Sequence, residues 1–475
     1  MSKEIKLNKE LNIWEALAPV GVLVALLAAN MFILGDNAGA YNNQFILLIA
    51  GAVAGVMGLF NRVDLPTMWK GIASNMKSVL VPILILLLVG ALSASWFLSG
   101  IIPAMIYYGV KLINPDIFLP SAVVIASIVS VATGSSWTTS ATVGVALIAI
   151  GQAIGLPAGM VAGAVISGAY FGDKMSPLSD TTNLAAAIAG ASLFTHIKYM
   201  VITTVPSILI TLVVFVLLSL TGQSAEISGT EPLLAAVSQN FVISPWLFLV
   251  PLAVVLLIIK KTNPLIALSV GVVLGLVVAF IFQPQLFSAE INKAGFLFDA
   301  SLNGVALPTD QAQFQGLFEA KGMVDMLGTI FLIACAMVFG GVMDAIGALT
   351  RISQALLSVA HSVFGLFAST VASCLALNVT ASDQYLAIVV PGKMFQKAYE
   401  EKGLAPENLS RSLEDSGTVT SVLIPWNTCG AYQSATLGVG VGEYFMYAVF
   451  NYVSPFMTLL FAALKIKIAS LNKDK

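Results

Sequence analysis

The 475-residue sequence is 58% hydrophobic and 10% charged, with a mean hydropathy of +0.93 and a formal net charge of −2. A soluble globular chain has about 25% charged residues, and burial saturates with size, so a water-soluble fold could not hide this much apolar surface. The composition also excludes a disordered chain, a collagen, a disulfide scaffold and a nucleic-acid-binding protein. The sequence therefore predicts a polytopic membrane protein embedded in the lipid bilayer.

Apolar stretches long enough to cross about 30 Å of hydrocarbon recur along the chain. The plain ones are residues 14–34, 44–60, 79–98, 199–220, 246–259, 264–282, 326–349 and 444–464. Two further stretches, 118–155 and 362–393, are apolar but interrupted halfway by Gly, Ser, Thr or Asn. Another two, 156–194 and 404–440, have charges and prolines at their centres.

The interrupted and plain stretches occur in pairs, which indicates an internal repeat. Residues 43–57 align with 263–277, residues 133–140 with 377–384, and residues 176–182 with 424–430. The order is the same in both halves, so we divide the chain into a first repeat (1–221), a linker (222–244) and a second repeat (245–475). Each repeat then has five crossings and one segment that enters and turns back. An odd number of crossings inverts the second repeat, giving an all-α protein with about ten transmembrane helices.

The distribution of positive charge supports this topology. With the N-terminus inside, the predicted cytoplasmic segments contain 18 of the 22 Lys and Arg residues. The exceptions are Lys111, Lys293 and Lys321 in outer loops, and Lys174 within the membrane. Because cytoplasmic loops of membrane proteins are enriched in Lys and Arg, both termini are expected in the cytoplasm. The long outer loop, 283–321, shows no periodic core pattern, and we assign it no function.

The first interrupted segment has a polar tip, residues 134–140, which we call the first tip. It contains the hydroxyl-bearing candidates Ser135, Ser136 and Thr138. In inverted-repeat transporters, broken helices meet near the midplane and bind ion and substrate, and hydroxyl oxygens are suitable ligands for a hard cation such as Na⁺. The alternative is a Ser/Thr-rich helix whose hydroxyls bond to its own carbonyls.

The next interrupted segment, residues 172–183, is called the first broken helix. Asp173, Lys174 and Asp180 are ionisable at membrane depth, where each charge is costly unless paired or hydrated. Pro177 prevents a continuous helix. Asp180 follows Ser179 and precedes Thr181, both neutral oxygen donors, so we expect Asp180 to be the main Na⁺ ligand. Lys174 is expected to balance the charge of Asp173. The alternative is an ordinary surface loop.

The second repeat offers corresponding candidates. The second tip, residues 377–384, contains Asn378, Thr380 and Asp383, and the second broken helix, residues 414–428, contains Asp415, Thr418 and Asn427. We expect Glu414, on a different helical face from Asp415, to lie at the cytoplasmic rim. Asp344 is either a further candidate or a buried carboxylate that pairs with a neighbouring helix. Trp137 and Trp426 are expected to pack the tips.

The stretch from Gly134-Ser-Ser-Trp-Thr-Thr through Gly172-Asp-Lys-Met-Ser-Pro-Leu-Ser-Asp-Thr-Thr-Asn-Leu resembles the signature of the NhaC family of bacterial Na⁺/H⁺ antiporters. The resemblance extends more loosely over nearly the whole chain. The family belongs to the ion-transporter superfamily, whose members use paired re-entrant hairpins and broken helices. The resemblance implies a multi-pass protein of the bacterial inner membrane. It also implies these ion-site residues: Asp173, Ser176, Ser179, Asp180 and Thr181.

Two functions remain open on the sequence. The first is exchange of Na⁺ for H⁺ at one midplane site that is alternately exposed to the two sides. The second, implied by other members of the family, is Na⁺- and H⁺-coupled exchange of malate and lactate, with Lys174 as the counter-charge. A channel is less favoured, and an enzyme least, because the sequence shows no cofactor motif or nucleophile–base pair. We expect no cofactor beyond the transported Na⁺ and H⁺, and the oligomeric state stays open, with a homodimer as one alternative.

Cysteine labelling tests the inverted arrangement. Single cysteines introduced at 222–244, in a background lacking the native cysteines, should react with an impermeant thiol reagent added to intact cells. Cysteines near Lys70 should react only after permeabilisation, because the charge map places that segment inside. Labelling of 222–244 from the cytoplasm alone would contradict the topology.

Overall fold

The computed structural model describes residues 11–30, 33, 41–112, 115–221, 230–260, 262–287, 292–308 and 317–471. Within these ranges the regular structure is helical apart from one antiparallel pair, β1 (Val305–Ala306) and β2 (Glu319–Ala320). Helices satisfy their backbone hydrogen bonds internally, which apolar segments require in lipid.

The helices that precede residue 222 include both interrupted segments of the first repeat. They are α1 (Ile13–Ala29), α2 (Asn42–Phe60), α3 (Leu65–Ser78), α4 (Leu80–Leu98), α5 (Ile101–Leu112), α6 (Phe118–Thr133), α7 (Ser136–Thr139), α8 (Val145–Ala153), α9 (Ala158–Met175), α10 (Asp180–Ala189) and α11 (Leu193–Thr221). A π-helical turn, Ser140–Gly144, joins α7 to α8.

The helices that follow residue 229 include the interrupted segments of the second repeat. They are α12 (Thr230–Asn240), α13 (Leu249–Ile259), α14 (Pro264–Phe282), α15 (Lys293–Asn303), α16 (Leu327–Ala345), α17 (Ala348–Ser358), α18 (Val363–Thr380), α19 (Gln384–Glu401), α20 (Pro406–Leu413), α21 (Thr428–Leu437), α22 (Val441–Tyr444) and α23 (Val449–Ala463). A π-helical turn, Glu414–Thr418, follows α20.

By length and composition, six helices of the described ranges can each cross a membrane, and eight spans result if two bent pairs count as one each. The bent pairs are Glu231–Asn240 with Pro245–Ile259, at 83°, and Val441–Tyr447 with Val449–Ala463, at 52°. The protein is therefore an all-helical, polytopic membrane protein. Ten spans in two inverted repeats stay a prediction, because that count includes short helices such as α1 and α6, of 17 and 16 residues.

The predicted interruptions are present in the first repeat. Helix α6 ends at Gly134, which has a φ of 70°, and Ser135 then caps α7 by accepting a hydrogen bond from the Thr138 amide. Helix α9 ends before Ser176, and α10 begins at Asp180 after the Pro177 break. Left-handed φ favours glycine, and proline cannot continue the hydrogen-bond ladder, so both breaks follow from the local sequence.

The chain is also interrupted at the two places predicted for its second half. Helix α18 ends at Thr380, Ser382 adopts a φ of 58°, and the Asp383 carboxylate caps α19. The chain leaves α20 through the π-helical turn and a 3₁₀ turn before Asn427 caps α21. Side-chain caps replace the backbone hydrogen bonds that each interruption removes.

Two segments predicted as connections contain helices. The linker prediction, 222–244, lies partly outside the described residues, but its second part forms α12, with Leu233 and Val237 buried. In the 283–321 loop, α15 buries Leu297 and Ala300, and the β1–β2 pair follows it. The loop contains a helix although its sequence shows no periodic apolar pattern. An 11-residue helix buries only a few residues, which is too few to produce such a pattern.

Close packing of α6 on α9 positions the end of the first broken helix. A Cβ atom added to Gly172 would lie 2.5 Å from both the Ser127 carbonyl oxygen and the Ser130 Cβ. The Ser130 hydroxyl also donates to the Ala169 carbonyl oxygen across this contact, at 2.5 Å. The missing side chain at Gly172 lets the two backbones approach, and the next residue is Asp173.

We expect Gly172→Ala to lower stability, since overpacking of a tight contact costs about 1–3 kcal/mol. It should also impair transport, because it moves Asp173 away from the first tip. Thermal unfolding of the purified protein in detergent measures the first effect. Gly55→Ala is the matched control, since its Cβ would meet only the Met68 sulfur, at 3.9 Å. Equal unfolding midpoints in the two variants would contradict this account of the packing.

Candidate ion site

Asp173 lies at the end of α9 and contacts the first tip. Its Oδ2 accepts hydrogen bonds from the Ser136 backbone N–H at 3.0 Å and from the Ser136 hydroxyl at 2.7 Å. The side chain is 6% exposed, and Oδ1 has no hydrogen-bond partner among the described residues. A buried carboxylate with a vacant oxygen is costly unless a proton or a cation compensates its charge.

Lys174, the next residue, forms a buried ion pair with Asp415 of the second broken helix. Both side chains are fully buried, and Lys174 also donates to the Ser454 hydroxyl at 3.1 Å. The expectation that Lys174 balances Asp173 is therefore wrong. Consecutive residues on a helix point about 100° apart, so Lys174 faces the other half of the chain while Asp173 faces the first tip.

Asp415 is fully satisfied by the groups around it. Apart from Lys174, its carboxylate accepts hydrogen bonds from Thr203 at 2.8 Å, from Ser454 at 3.3 Å and from Thr458. A buried ion pair is stable only when its geometry is good and further hydrogen bonds satisfy the remaining oxygens. Asp415 therefore fixes the two broken helices to one another, and its oxygens are occupied.

Glu414 does not lie exposed at the cytoplasmic rim, where the sequence predicted it. It is fully buried, and its Oε1 accepts a hydrogen bond from the Thr181 hydroxyl at 3.0 Å. Thr181 in turn shares a hydrogen bond with the Ser179 hydroxyl at 3.1 Å. The π-helical turn explains the difference, because its wider winding turns Glu414 towards the first broken helix.

The hydroxyl side chains of the first broken helix mainly satisfy backbone groups at the interruption. Ser179 caps α10 by accepting from the Thr182 amide at 3.3 Å. The Ser176 hydroxyl donates to the Val131 carbonyl oxygen at 2.8 Å. The Thr182 hydroxyl donates to the Lys174 carbonyl oxygen at 3.1 Å. These bonds satisfy backbone groups that the broken helix leaves open, as an apolar environment demands.

The polar residues of the second repeat form a separate cluster. Asn378 donates to the Gly417 carbonyl oxygen at 2.8 Å and to the Thr420 hydroxyl at 3.0 Å. Asn427 donates to the Asn378 side-chain oxygen at 3.2 Å. Asp383 accepts from the Leu386 amide at 3.0 Å. The cluster joins the second tip to the second broken helix, and most of its donors are engaged.

The structure thus brings some predicted residues together and separates others. It brings Ser136 to Asp173, and Thr181, with Ser179, to Glu414. Ser135 and Thr138 hydrogen-bond to one another within the first tip. Asp180 is exposed, and its carboxylate accepts hydrogen bonds from the Tyr385 hydroxyl and the Thr181 amide. Asp344 is exposed in the last turn of α16, which contradicts the alternative that it is a buried carboxylate paired with a neighbouring helix. The apolar run that suggested burial is longer than the helix.

Both tips are packed by tryptophan, as expected. Trp137 stacks on Tyr432 with ring centroids 4.0 Å apart, and the Trp426 indole donates to the Val379 carbonyl oxygen at 2.9 Å. Thr203, Ser454 and Thr458, which donate to Asp415, were not among the predicted site residues. Their position near a proline in an apolar span, Pro206 or Pro455, is the sequence feature that could have indicated them.

Residues 168–466 match the family model described as the Na⁺/H⁺ antiporter family. The chain belongs to the Na⁺/H⁺ antiporter family. It is 36% identical over 462 residues to the Na⁺/H⁺ antiporter NhaC of Alkalihalophilus pseudofirmus, with 97% of this chain and 98% of the relative covered. The NhaC of Bacillus subtilis is 36% identical over 398 residues, covering 83% and 86%. The resemblance to the NhaC family is confirmed.

A relative with a different name is also similar to this antiporter. The malate-2H⁺/Na⁺-lactate antiporter of Bacillus subtilis is 32% identical over 427 residues, covering 90% of this chain and 88% of the relative. These relatives are named as transporters rather than enzymes. In the site of this family member, the ion pair neutralises Lys174 and Asp415, whereas Asp173 and Glu414 each keep an oxygen that can take a proton or a cation.

We expect Lys174→Met to destabilise the protein by about 3–5 kcal/mol, because it leaves the Asp415 charge buried and unpaired. The double variant Lys174→Met/Asp415→Leu should recover much of this loss. Thermal unfolding in detergent provides the measurement. Lys397→Met is the control: it removes the exposed Lys397–Glu401 pair, with an N···O distance of 3.7 Å, and should leave the unfolding temperature unchanged. A Lys174→Met variant as stable as the unmodified protein would refute this role.

Proposed function

We propose that the protein exchanges Na⁺ for H⁺ across the cytoplasmic membrane by alternating access. The single observation that carries the site is the meeting of the two broken helices, where buried carboxylates face polar oxygens. Membership of the antiporter family, and the names of the NhaC relatives, support the choice of ions.

The proposed exchange requires a group that holds either ion but not both. A buried carboxylate does this, since in a dehydrated site it needs compensation by one positive charge, which a proton or Na⁺ can provide. Asp173 is suited to this role because two donors from Ser136 orient it while Oδ1 faces no partner within the described ranges. The Ser179 and Thr181 hydroxyls of the same broken helix share a hydrogen bond at 3.1 Å.

We assign Asp180 to the approach to this site. It is exposed, and it begins α10 seven positions after Asp173 in the same broken helix. An exposed carboxylate attracts cations and stays hydrated, so it exchanges ions quickly without having to desolvate them. The bound ion would then pass from Asp180 to the buried carboxylate.

The proposed transport cycle uses the two repeats as moving parts. Ten spans, a linker at 222–244 and both termini in the cytoplasm complete the proposed architecture. The internal sequence match and the distribution of Lys and Arg support it. Rocking of one repeat against the other would expose the site first to one side of the membrane and then to the other.

One observation favours Na⁺/H⁺ exchange over exchange of organic anions. Lys174, the counter-charge that a carboxylate substrate would need at this depth, already pairs with Asp415. Binding of malate or lactate there would have to displace Asp415 and leave it unpaired in a low dielectric, which is costly. Lys174 is therefore not free to bind a carboxylate substrate.

A proton-flux measurement in proteoliposomes tests the function. The vesicle lumen is made acidic, which quenches a pH-sensitive dye. Na⁺ added outside should then restore the dye fluorescence, because Na⁺ entering the lumen exchanges for protons that leave it. Malate and lactate should have no effect, and Li⁺ and K⁺ define the cation selectivity. Proton movement with lactate or malate but not with Na⁺ alone would refute the proposal.

Two neutral substitutions separate the buried carboxylate from the exposed one. Asp173→Asn should abolish Na⁺-driven proton movement, because an amide keeps the size of the side chain but cannot exchange a proton. Asp180→Asn should keep the maximal rate and raise the Na⁺ concentration needed for half-maximal exchange. Asp299→Asn, an exposed residue of α15, is the control. Full activity of Asp173→Asn, with loss in Asp180→Asn, would move the exchanging group to Asp180.

A further inference from the structure

We propose that Glu414 is the second carboxylate ligand of the transported cation, so that Asp173 and Glu414, from opposite halves of the chain, hold one ion between them. The inference rests on the proposed Na⁺/H⁺ exchange and identifies a ligand in the second broken helix. Neither the sequence pattern nor the names of the relatives single out this residue.

Glu414 has the burial and the vacancy that a ligand needs. Its side chain is fully buried, and Oε2 has no hydrogen-bond partner in the part of the chain that the structure describes. Asp173 shows the same combination, with Oδ1 vacant. Leaving a buried charged oxygen without a partner costs more than a typical hydrogen bond contributes. Two such oxygens close together indicate that a positively charged species belongs between them.

A chain of hydrogen bonds connects Glu414 to the turn that follows Asp173. Thr181 donates to Glu414 at 3.0 Å and shares a hydrogen bond with Ser179 at 3.1 Å. The Ser179 amide donates to the Ser176 carbonyl oxygen at 3.2 Å, and the Ser176 amide donates to the Asp173 carbonyl oxygen at 3.1 Å. Two buried carboxylates on these connected segments repel one another when both are ionised. One cation between them would remove this repulsion.

A second, independent feature points to a ligand at the same place. Thr418 lies four positions after Glu414 in the same π-helical turn. Its side chain is 1% exposed, and its hydroxyl oxygen has no hydrogen-bond partner among the described residues. Two carboxylate oxygens and neutral hydroxyl oxygens are the donor set that a hard cation such as Na⁺ prefers.

The other charged groups near the two carboxylates do not compensate them. Asp415 already neutralises Lys174. The buried Arg411 guanidinium packs on the Tyr199 and Phe367 rings, at 4.5 and 5.9 Å, and makes no hydrogen bond to either carboxylate among the described residues. The transported species then supplies the positive compensation, as protons on the carboxylates or as Na⁺ between them. Competition between these two states couples the ions.

The adjacent residue, Asp415, is unsuitable as the ligand although it is equally buried. Its oxygens accept from Lys174, Thr203, Ser454 and Thr458. Recruiting it would break an ion pair and leave donors unsatisfied. The second broken helix therefore divides its two acidic residues between a structural pair and an ion ligand.

The test compares Glu414→Gln, Glu414→Asp and the control Glu400→Gln, an exposed residue of α19. Na⁺ binding is measured on the purified protein by calorimetry and by the rise in unfolding temperature with added Na⁺, and proton movement is measured in proteoliposomes. Glu414→Gln should weaken Na⁺ binding by at least the roughly 10- to 100-fold that loss of an outer-shell partner costs a metal site. Glu414→Asp should keep exchange with altered Na⁺/Li⁺ selectivity, because it retains the charge but withdraws the oxygens. Glu400→Gln should match the unmodified protein.

A double variant tests whether the ion is shared. If Asp173 and Glu414 hold the same cation, Asp173→Asn/Glu414→Gln should bind Na⁺ no worse than the weaker single variant. Unchanged Na⁺ affinity and pH profile in Glu414→Gln would overturn the inference. If Glu414→Gln does not fold, unchanged Na⁺ affinity and selectivity in Glu414→Asp would overturn it. An unmodified protein that binds Na⁺ but moves no protons would refute the exchange function, while the binding measurements still decide the role of Glu414.

Discussion

The buried contact between Lys174 and Asp415 determines how the two interrupted helices meet. Taking both charges out of water costs several kcal/mol per ion, and only the direct pair together with the Ser454, Thr203 and Thr458 hydroxyls offsets that cost. The groups come from α9, α11, the π-helical turn and α23, so their geometry must be maintained together. Separating the two broken helices would leave a charge without a partner on each side.

Because this pair uses the second residue of Asp173-Lys174 and of Glu414-Asp415, it determines where the first residue points. Asp173 faces about 100° away from Lys174 on α9, and Glu414 faces away from Asp415 within the π-helical turn. The tight α6–α9 contact at Gly172 fixes this direction in the first half, and the π-helical turn does so in the second. The position of the candidate ligands is thus a geometric consequence of the ion pair.

The local features of the site could be predicted from sequence, but its long-range pairing could not. The polar interruptions and Pro177 predicted the breaks, because a left-handed φ at Gly134, a missing N–H at Pro177 and a side-chain cap at Asp383 act over a few residues. Lys174 was expected beside Asp173, since sequence proximity was the only available criterion. Its true partner lies 241 positions away. Glu414 was misplaced because a π-helical turn changes the facing of a residue without a reliable sequence signal.

The contacts between the halves also differ in how easily they can be broken. Tyr385 to Asp180, Thr181 to Glu414 and the Trp137–Tyr432 stack each join the two halves through a hydrogen bond or ring contact. A net hydrogen bond contributes about 0.5–3 kcal/mol, and water can replace it where an aqueous path opens. Breaking the Lys174–Asp415 pair has no such substitute while it stays buried. If the halves rock as the proposed exchange requires, the two hydrogen bonds and the ring stack are the contacts that open. The ion pair stays closed, and the halves turn about it.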